Sequence, residues 1–243
     1  TPRYLLVAGA SVLLNLVANV AYVAALERAD LSLTVPLLSL TPAMAAAFAV
    51  PMLGEVPSPA QGLGILFVVA GALYLGGERA VGAGPAAWWR ALRSHPAGLL
   101  MLVVAVCWSA VLPLDKIALE LVGAPAHALG LSAGVAAGTL LPLLALRGRG
   151  GARAVGAPGS RVGLLPRLLA AVLVSAAALG LQLVALQWVL VGVVETVKRA
   201  VGNLLALLMG RLLFSEPVTV RKVVALALMA VGVMLLVLPG TRG

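Results

Sequence analysis

Residues 192–208 read GVVETVKRAVGNLLALL. Glu195, Lys198, Arg199 and Asn203 lie inside a run that is otherwise almost wholly apolar from Trp188 to Gly210. A charge at the centre of a membrane helix costs about 2.5–3.5 kcal/mol on insertion scales, so three of them together must be satisfied by protein or water. On an α-helix, residues three and four apart share a face. Glu195, Lys198, Arg199, Gly202, Asn203, Ala206 and Gly210 therefore form one stripe of polar and small side chains that cannot face lipid. Counted from a helix start near residue 189, Lys198 and Arg199 lie roughly 15 Å deep, close to a bilayer midplane.

The rest of the chain makes the membrane setting necessary. Of its 243 residues, 62% are hydrophobic and only 10% charged, with a mean hydropathy of +1.12. Soluble domains average about 25% charged residues, so a soluble fold is excluded. Apolar runs long enough to cross a bilayer occur at 4–26, 31–53, 60–77, 97–118, 125–146, 164–187, 189–213 and 221–238. The expectation is an all-α polytopic membrane protein with eight transmembrane helices. The formal charge of +9 does not point to nucleic acid, because Lys and Arg gather between the helices, where they orient the protein. Cys107 is the single cysteine, so no intrachain disulfide can form.

Alternating the helices across the membrane puts twelve Lys and Arg, from Arg28 to Lys222, on one side, against Arg3, Lys116 and Arg242 on the other. The positive-inside bias assigns the richer side, with loops 78–96 and 147–163, to the cytoplasm; the expected location is a bacterial-type inner (plasma) membrane. Trp88 and Trp89, beside Arg90, fit an interfacial aromatic belt.

Sliding the chain on itself by about 161 residues brings Glu55 onto Glu216 and Gly71 onto Gly232. Ala45 then meets Ala206, and the turns LGEVPSPAQG and FSEPVTVRKV coincide. The second copy also takes in the helices at 97–118 and 125–146, giving five helices per repeat. An odd number inverts the second copy relative to the first, which is a transporter architecture with its site at the repeat interface. The expected division is 1–78 for the last three helices of the first repeat, 79–96 for an inter-repeat loop and 97–243 for a complete second repeat. Eight helices of ten are then present, and the chain reads as a fragment lacking the first two.

Two segments carry a resemblance. ADLSLTVPLLSLTPAMAAAFAVPMLGEVPSPAQGLGILFVVAGALYL and VETVKRAVGNLLALLMGRLLFSEPVTVRKVVALALMAVGVMLL both run a helix into a small residue plus Glu, a short turn, and a last helix containing Gly. The chain resembles the drug/metabolite transporter superfamily, EamA type. The resemblance implies ten helices in two inverted five-helix repeats around a central cavity. It implies a peripheral last helix in each repeat, and a site drawn from the helices starting near 4, 31, 97, 164 and 189. It also implies termini in the cytoplasm, whereas the charge bias puts them outside.

Within the charged stretch, Glu195 can neutralise Lys198 at i+3 or Arg199 at i+4, which leaves one cation over. Asp115 is a candidate partner for it. The functional alternative is an anionic substrate group, a carboxylate or phosphate, bound by the fork of Arg199 or the compact charge of Lys198. In the aligned helix LSLTVPLLSLTPA, Thr34 stands where Glu195 does. Pro36 and Pro42 there each release the carbonyl four residues earlier, either to line a cavity or to be taken up by Ser and Thr hydroxyls. Asn15, Asn19 and Tyr22 on the first helix, Trp108, and Gln182 are further candidate cavity residues, although Asn and Gln also bind membrane helices to one another. Glu55 and Glu216, at helix ends, suit capping.

The expected function is secondary-active transport of small metabolites, anionic or zwitterionic, such as amino acids or drug-like compounds, by alternating access. Glu195 is a candidate proton carrier. No GxxxxGK[ST] motif, no HExxH and no clustered metal ligands occur, so neither a cofactor nor a metal is expected. An intramembrane enzyme would need a base, and the two histidines fall in a loop (His95) and at a helix edge (His127). A non-transporting assembly or chaperone subunit is the other alternative.

Overall fold

The computed structural model describes residues 1–28, 35–76, 96–148, 164–214 and 219–237. The side chains of residues 35, 36, 76, 141–148, 164–168, 171, 206, 210, 213, 214 and 237 are excepted. Thr34, Trp88, Trp89, His95 and Glu216, and nearly all of the two long loops, lie outside the described residues.

The described residues contain eight α-helices and no strand. They are α1 (Pro2–Leu26), α2 (Thr41–Leu53), α3 (Pro59–Gly76), α4 (Pro96–Val122), α5 (Ala124–Gly148), α6 (Leu164–Trp188), α7 (Val191–Phe214) and α8 (Val220–Val237). Seven of the eight expected spans form as single helices. The exception is 31–53, whose described part is a 3-10 turn over Val35–Leu40 followed by α2. Proline accounts for the break. Pro42 falls in the first turn of α2, where a missing N–H costs a helix nothing, but it cannot continue a helix arriving from Leu38.

The helices form two compact units. One comprises Thr1–Leu16 and Leu114–Trp188. Inside it α5 presents Gly130, Gly134 and Gly138, one turn apart, to Tyr4, Val12 and Leu16 of α1. A methyl group on Gly134 would come within 2.7 Å of Val12, so these glycines set how closely the two helices approach, as membrane helices require where small residues replace the hydrophobic drive. Gly123 (φ +78°) turns the chain from α4 into α5 within one residue. That is a left-handed conformation open to glycine.

The other unit comprises Val17–Pro113 and Val189–Gly243. There α3 packs antiparallel to α8: Gly64 meets Gly232 and Leu236, and Gly71 meets Ala225 and Met229. On its other faces α3 meets α2 and α7 through Ala46, Ile65, Val69 and Val193, and Ala200 through Val68 and Ala72. At the end of α2, Gly54 (φ +70°) donates to the Val50 carbonyl at 2.9 Å and Glu55 N–H to that of Ala49, a glycine-terminated helix end.

Large apolar side chains cover the exposed faces. They include Leu6, Leu13 and Val20 on α1, and Val201, Leu205, Leu208 and Leu212 on α7. The α7 residues recur at helical spacing on the face away from Glu195, so one side of that helix suits lipid and the other is polar.

Candidate functional site

The site is built around the break before α2. Pro42 has no N–H for the Leu38 carbonyl, four residues back. The hydroxyl of Thr41 reaches that oxygen at 2.7 Å instead, so the side chain beside the proline stands in for the missing backbone donor. The same hydroxyl lies 2.9 Å from Glu195 Oε1. It also accepts a bond from Arg199 Nη2 at 2.8 Å. A hydroxyl carries one hydrogen, so Thr41 donates either to its own helix break or to the carboxylate.

Glu195 is the centre of the group. Its side chain is 3% exposed and bonds Arg199 Nη2 through Oε1 at 3.0 Å, while Oε2 pairs with Lys198. The positions i+3 and i+4 both reach one carboxylate because they flank it on the same helical face. Among the described residues Arg199 Nε is buried without a hydrogen-bond partner. Lys198 is 47% exposed and Arg199 22%. One carboxylate thus holds two cations, and the group carries a net single positive charge beside a broken helix. α7 starts at Val191, which puts Arg199 about 12 Å along it, somewhat shallower than the sequence suggests.

The one surplus positive charge expected here is shared over the pair, and Asp115, the candidate partner for it, is engaged by Ser11 and His127. Both cations engage Glu195. Asp115, 1% exposed, accepts a bond from Ser11 Oγ at 2.5 Å and lies 3.1 Å from His127 Nε2. His127 lies in the first turn of α5, at the helix edge expected for it. The Gly123 turn folds it back onto Asp115, where its side chain is fully buried.

The other candidates divide. Tyr22 stacks obliquely on Trp108, with ring centroids 5.5 Å apart. The neighbouring Ser109 Oγ lies 3.2 Å from the Thr41 carbonyl, which ties this part of α4 to the α2 break. Asn203 donates to Met229 Sδ on α8 at 3.6 Å, away from Glu195. Asn15 bonds the Ser11 carbonyl of its own helix. Asn19 is exposed and Gln182 half-buried. Thr34 lies outside the described residues. Thr41 escaped the sequence reading; the available signal was a Thr directly before a Pro inside an apolar run. Glu55 Oε2 accepts the Val191 N–H at 2.8 Å, satisfying a free donor at the start of α7 and placing a negative charge at its positive end.

Among the described residues no group of three or more His, Cys, Asp or Glu could hold a metal ion. No curated protein matches the chain. A solved crystal structure 22% identical in sequence matches 99% of this chain and 77% of its own, with a TM-score of 0.71. That likeness supports the helical fold. The profile of the EamA-like transporter family matches residues 1–77 and 95–238, which takes in every described helix. The chain belongs to the EamA-like transporter family, integral membrane transporters of the drug/metabolite type.

Proposed function

We propose that the chain moves small anionic or zwitterionic metabolites by alternating access, and that Glu195, Lys198, Arg199 and Thr41 form the group that recognises the substrate's negative end. The observation that carries this is the net positive charge held on one buried carboxylate against a proline-broken helix. Such irregular backbone at membrane depth is tolerated where protein or a water-lined cavity surrounds it. A substrate carboxylate would compete with Glu195 for the guanidinium fork of Arg199, whose Nε is still unused. Thr41 would then have the Leu38 carbonyl as the one acceptor of its hydrogen in this group. Tyr22 and Trp108, joined to the break through Ser109, extend the proposed site. Asn19 remains a candidate for its walls, and Asn203, which reaches Met229 of α8, for binding helices together.

The proposed architecture is an inverted pair of five-helix repeats, the first represented by 1–78 and the second by 97–243. The packing of α3 on α8 supports it. With the 161-residue offset, the contact of Gly64 with Gly232 corresponds to that of Ala225 with Gly71, and the contact of Val68 with Gly232 to that of Met229 with Gly71. A two-fold axis between equivalent helices would produce this reciprocity. Loops 78–96 and 147–163 are assigned to the cytoplasm on charge.

The test is thermal unfolding of the purified protein against a metabolite panel, in wild type, Lys198→Ala and Arg199→Ala. A ligand at about 100 times its dissociation constant stabilises by roughly 2.7 kcal/mol. Stabilisation by anionic ligands that disappears in either folded variant is the expected result. Undiminished stabilisation in both variants would move the site elsewhere.

A further inference from the structure

A second buried polar cluster lies in the unit made of Thr1–Leu16 and Leu114–Trp188. Asp115 on α4, His127 on α5 and Ser11 on α1 are each at most 1% exposed. Asp115 Oδ1 takes both the Ser11 hydroxyl, at 2.5 Å, and His127 Nε2, at 3.1 Å. The ring of Tyr4 meets the imidazole edge-on, with centroids 6.0 Å apart. With Nε2 facing the carboxylate, the other ring nitrogen, Nδ1, is buried and has no hydrogen-bond partner among the described residues. Buried polar atoms are nearly always partnered, and this one belongs to the side chain whose charge changes near neutral pH. The serine bonds the carboxylate and not the imidazole, so the arrangement cannot activate a nucleophile.

We infer that Asp115 and His127 form a proton-binding site separate from the Glu195 group, with His127 Nδ1 as the atom that takes the proton. In the resting form the neutral ring donates Nε2–H to the Asp115 carboxylate. A proton delivered by hydronium adds to the Nδ1 lone pair, forming one N–H bond as an O–H bond of the hydronium breaks and a neutral water is left. The product is an imidazolium paired with a carboxylate, so the charge gained is held by the charge already present. The site ties α1, α4 and α5 together beside the Gly123 turn. That is the side assigned on charge to the outer face.

Within this unit, Thr1–Leu16 and Leu114–Trp188, the other titratable groups on these helices leave Asp115 as the carboxylate facing the ring. On α1 they are Tyr4, in contact with the ring, and the exposed Arg3. On α4 they are Lys116, half-buried beside Asp115, and the exposed Glu120. The described side chains of α5 and α6 carry no charged group besides His127.

The chain has two histidines, so His95→Gln leaves His127 alone. The full chain with that change, labelled with 15N-histidine and reconstituted in lipid nanodiscs, is titrated by NMR from about pH 9 to about pH 5. The expected result is that Nδ1 passes from unprotonated to protonated as pH falls. Asp115→Asn removes the charge that holds the imidazolium and lowers the midpoint by about one pH unit or more. Ser11→Ala frees Asp115 Oδ1 from a competing donor and raises the midpoint. A ring that stays neutral throughout, or a midpoint unmoved by Asp115→Asn, overturns the assignment. Where Asp115→Asn does not fold, an unmoved midpoint in Ser11→Ala does the same. The readout involves no transport, so this inference and the transport proposal fail independently.

Discussion

Replacing Glu195 by Gln keeps the shape of the side chain and removes the one negative charge shared by Lys198 and Arg199. Glu195 is 3% exposed and Arg199 22%, so this pair is poorly screened. Removing one member of a buried pair costs about 3–5 kcal/mol. The amide oxygen of Gln still accepts a bond from Arg199, which brings the expected cost down to about 2–4 kcal/mol. Lys198, nearly half exposed, adds little, because solvent screens it. For a chain of this size each kcal/mol moves the midpoint by roughly 2–4 °C, so Glu195→Gln should melt roughly 5–15 °C below wild type. The assay is thermal unfolding in one detergent, with Arg199→Gln and the double variant alongside. The double variant should recover part of the loss, since neither charge is then stranded. A Glu195→Gln midpoint within about 1 °C of wild type, or strict additivity in the double variant, would show that the carboxylate does not hold these cations.

Two further outcomes follow from the packing and the charge pattern. A β-carbon on Gly64 would stand 2.6 Å from the Gly232 carbonyl oxygen, whereas one on Gly9 would meet nothing within 4 Å. Gly64→Ala should therefore cost about 1–3 kcal/mol and Gly9→Ala should leave the thermal midpoint unchanged or raised; equal midpoints would refute the close contact of α3 and α8. In a Cys107→Ser background, a cysteine placed at Gly84 or Gly156 should react with an impermeant thiol reagent from inside-out vesicles only. Labelling from the opposite face would reverse the assigned orientation.

Much of the fold was legible because the hydrophobic runs have the length of a bilayer crossing, and the observed ends of α1, α3, α6 and α8 fall within two residues of those runs. The interruption before α2 was legible in its cause, two prolines, but not in its outcome. Whether a released carbonyl faces a cavity or is taken by a hydroxyl depends on a rotamer, and Thr41 took it. Glu195, Lys198 and Arg199 announced themselves by being charged in an apolar run. Thr41 did not, because a threonine in a membrane helix is unremarkable until its neighbours in space are known. The pairing of His127 with Asp115 was hidden for a related reason. His127 lies at a helix edge, and the left-handed Gly123 that folds it onto Asp115 has no hydrophobic signature.

The bond from Val191 to Glu55 has a mechanical meaning. α2 is fastened to α7 at both ends, by Glu55 on the first backbone N–H of α7 and by Thr41 on Glu195 and Arg199. Between them Ala46 sits against Gly192 with no room for another methyl group. Two pins and a tight bearing fix the register of one rod on the other. The pair cannot slide by a residue without breaking both pins, so it swings as a single strut or not at all. The charges on α7 then travel with the helix break, and a change at Glu55, about one helical turn from Glu195, would be felt at Arg199.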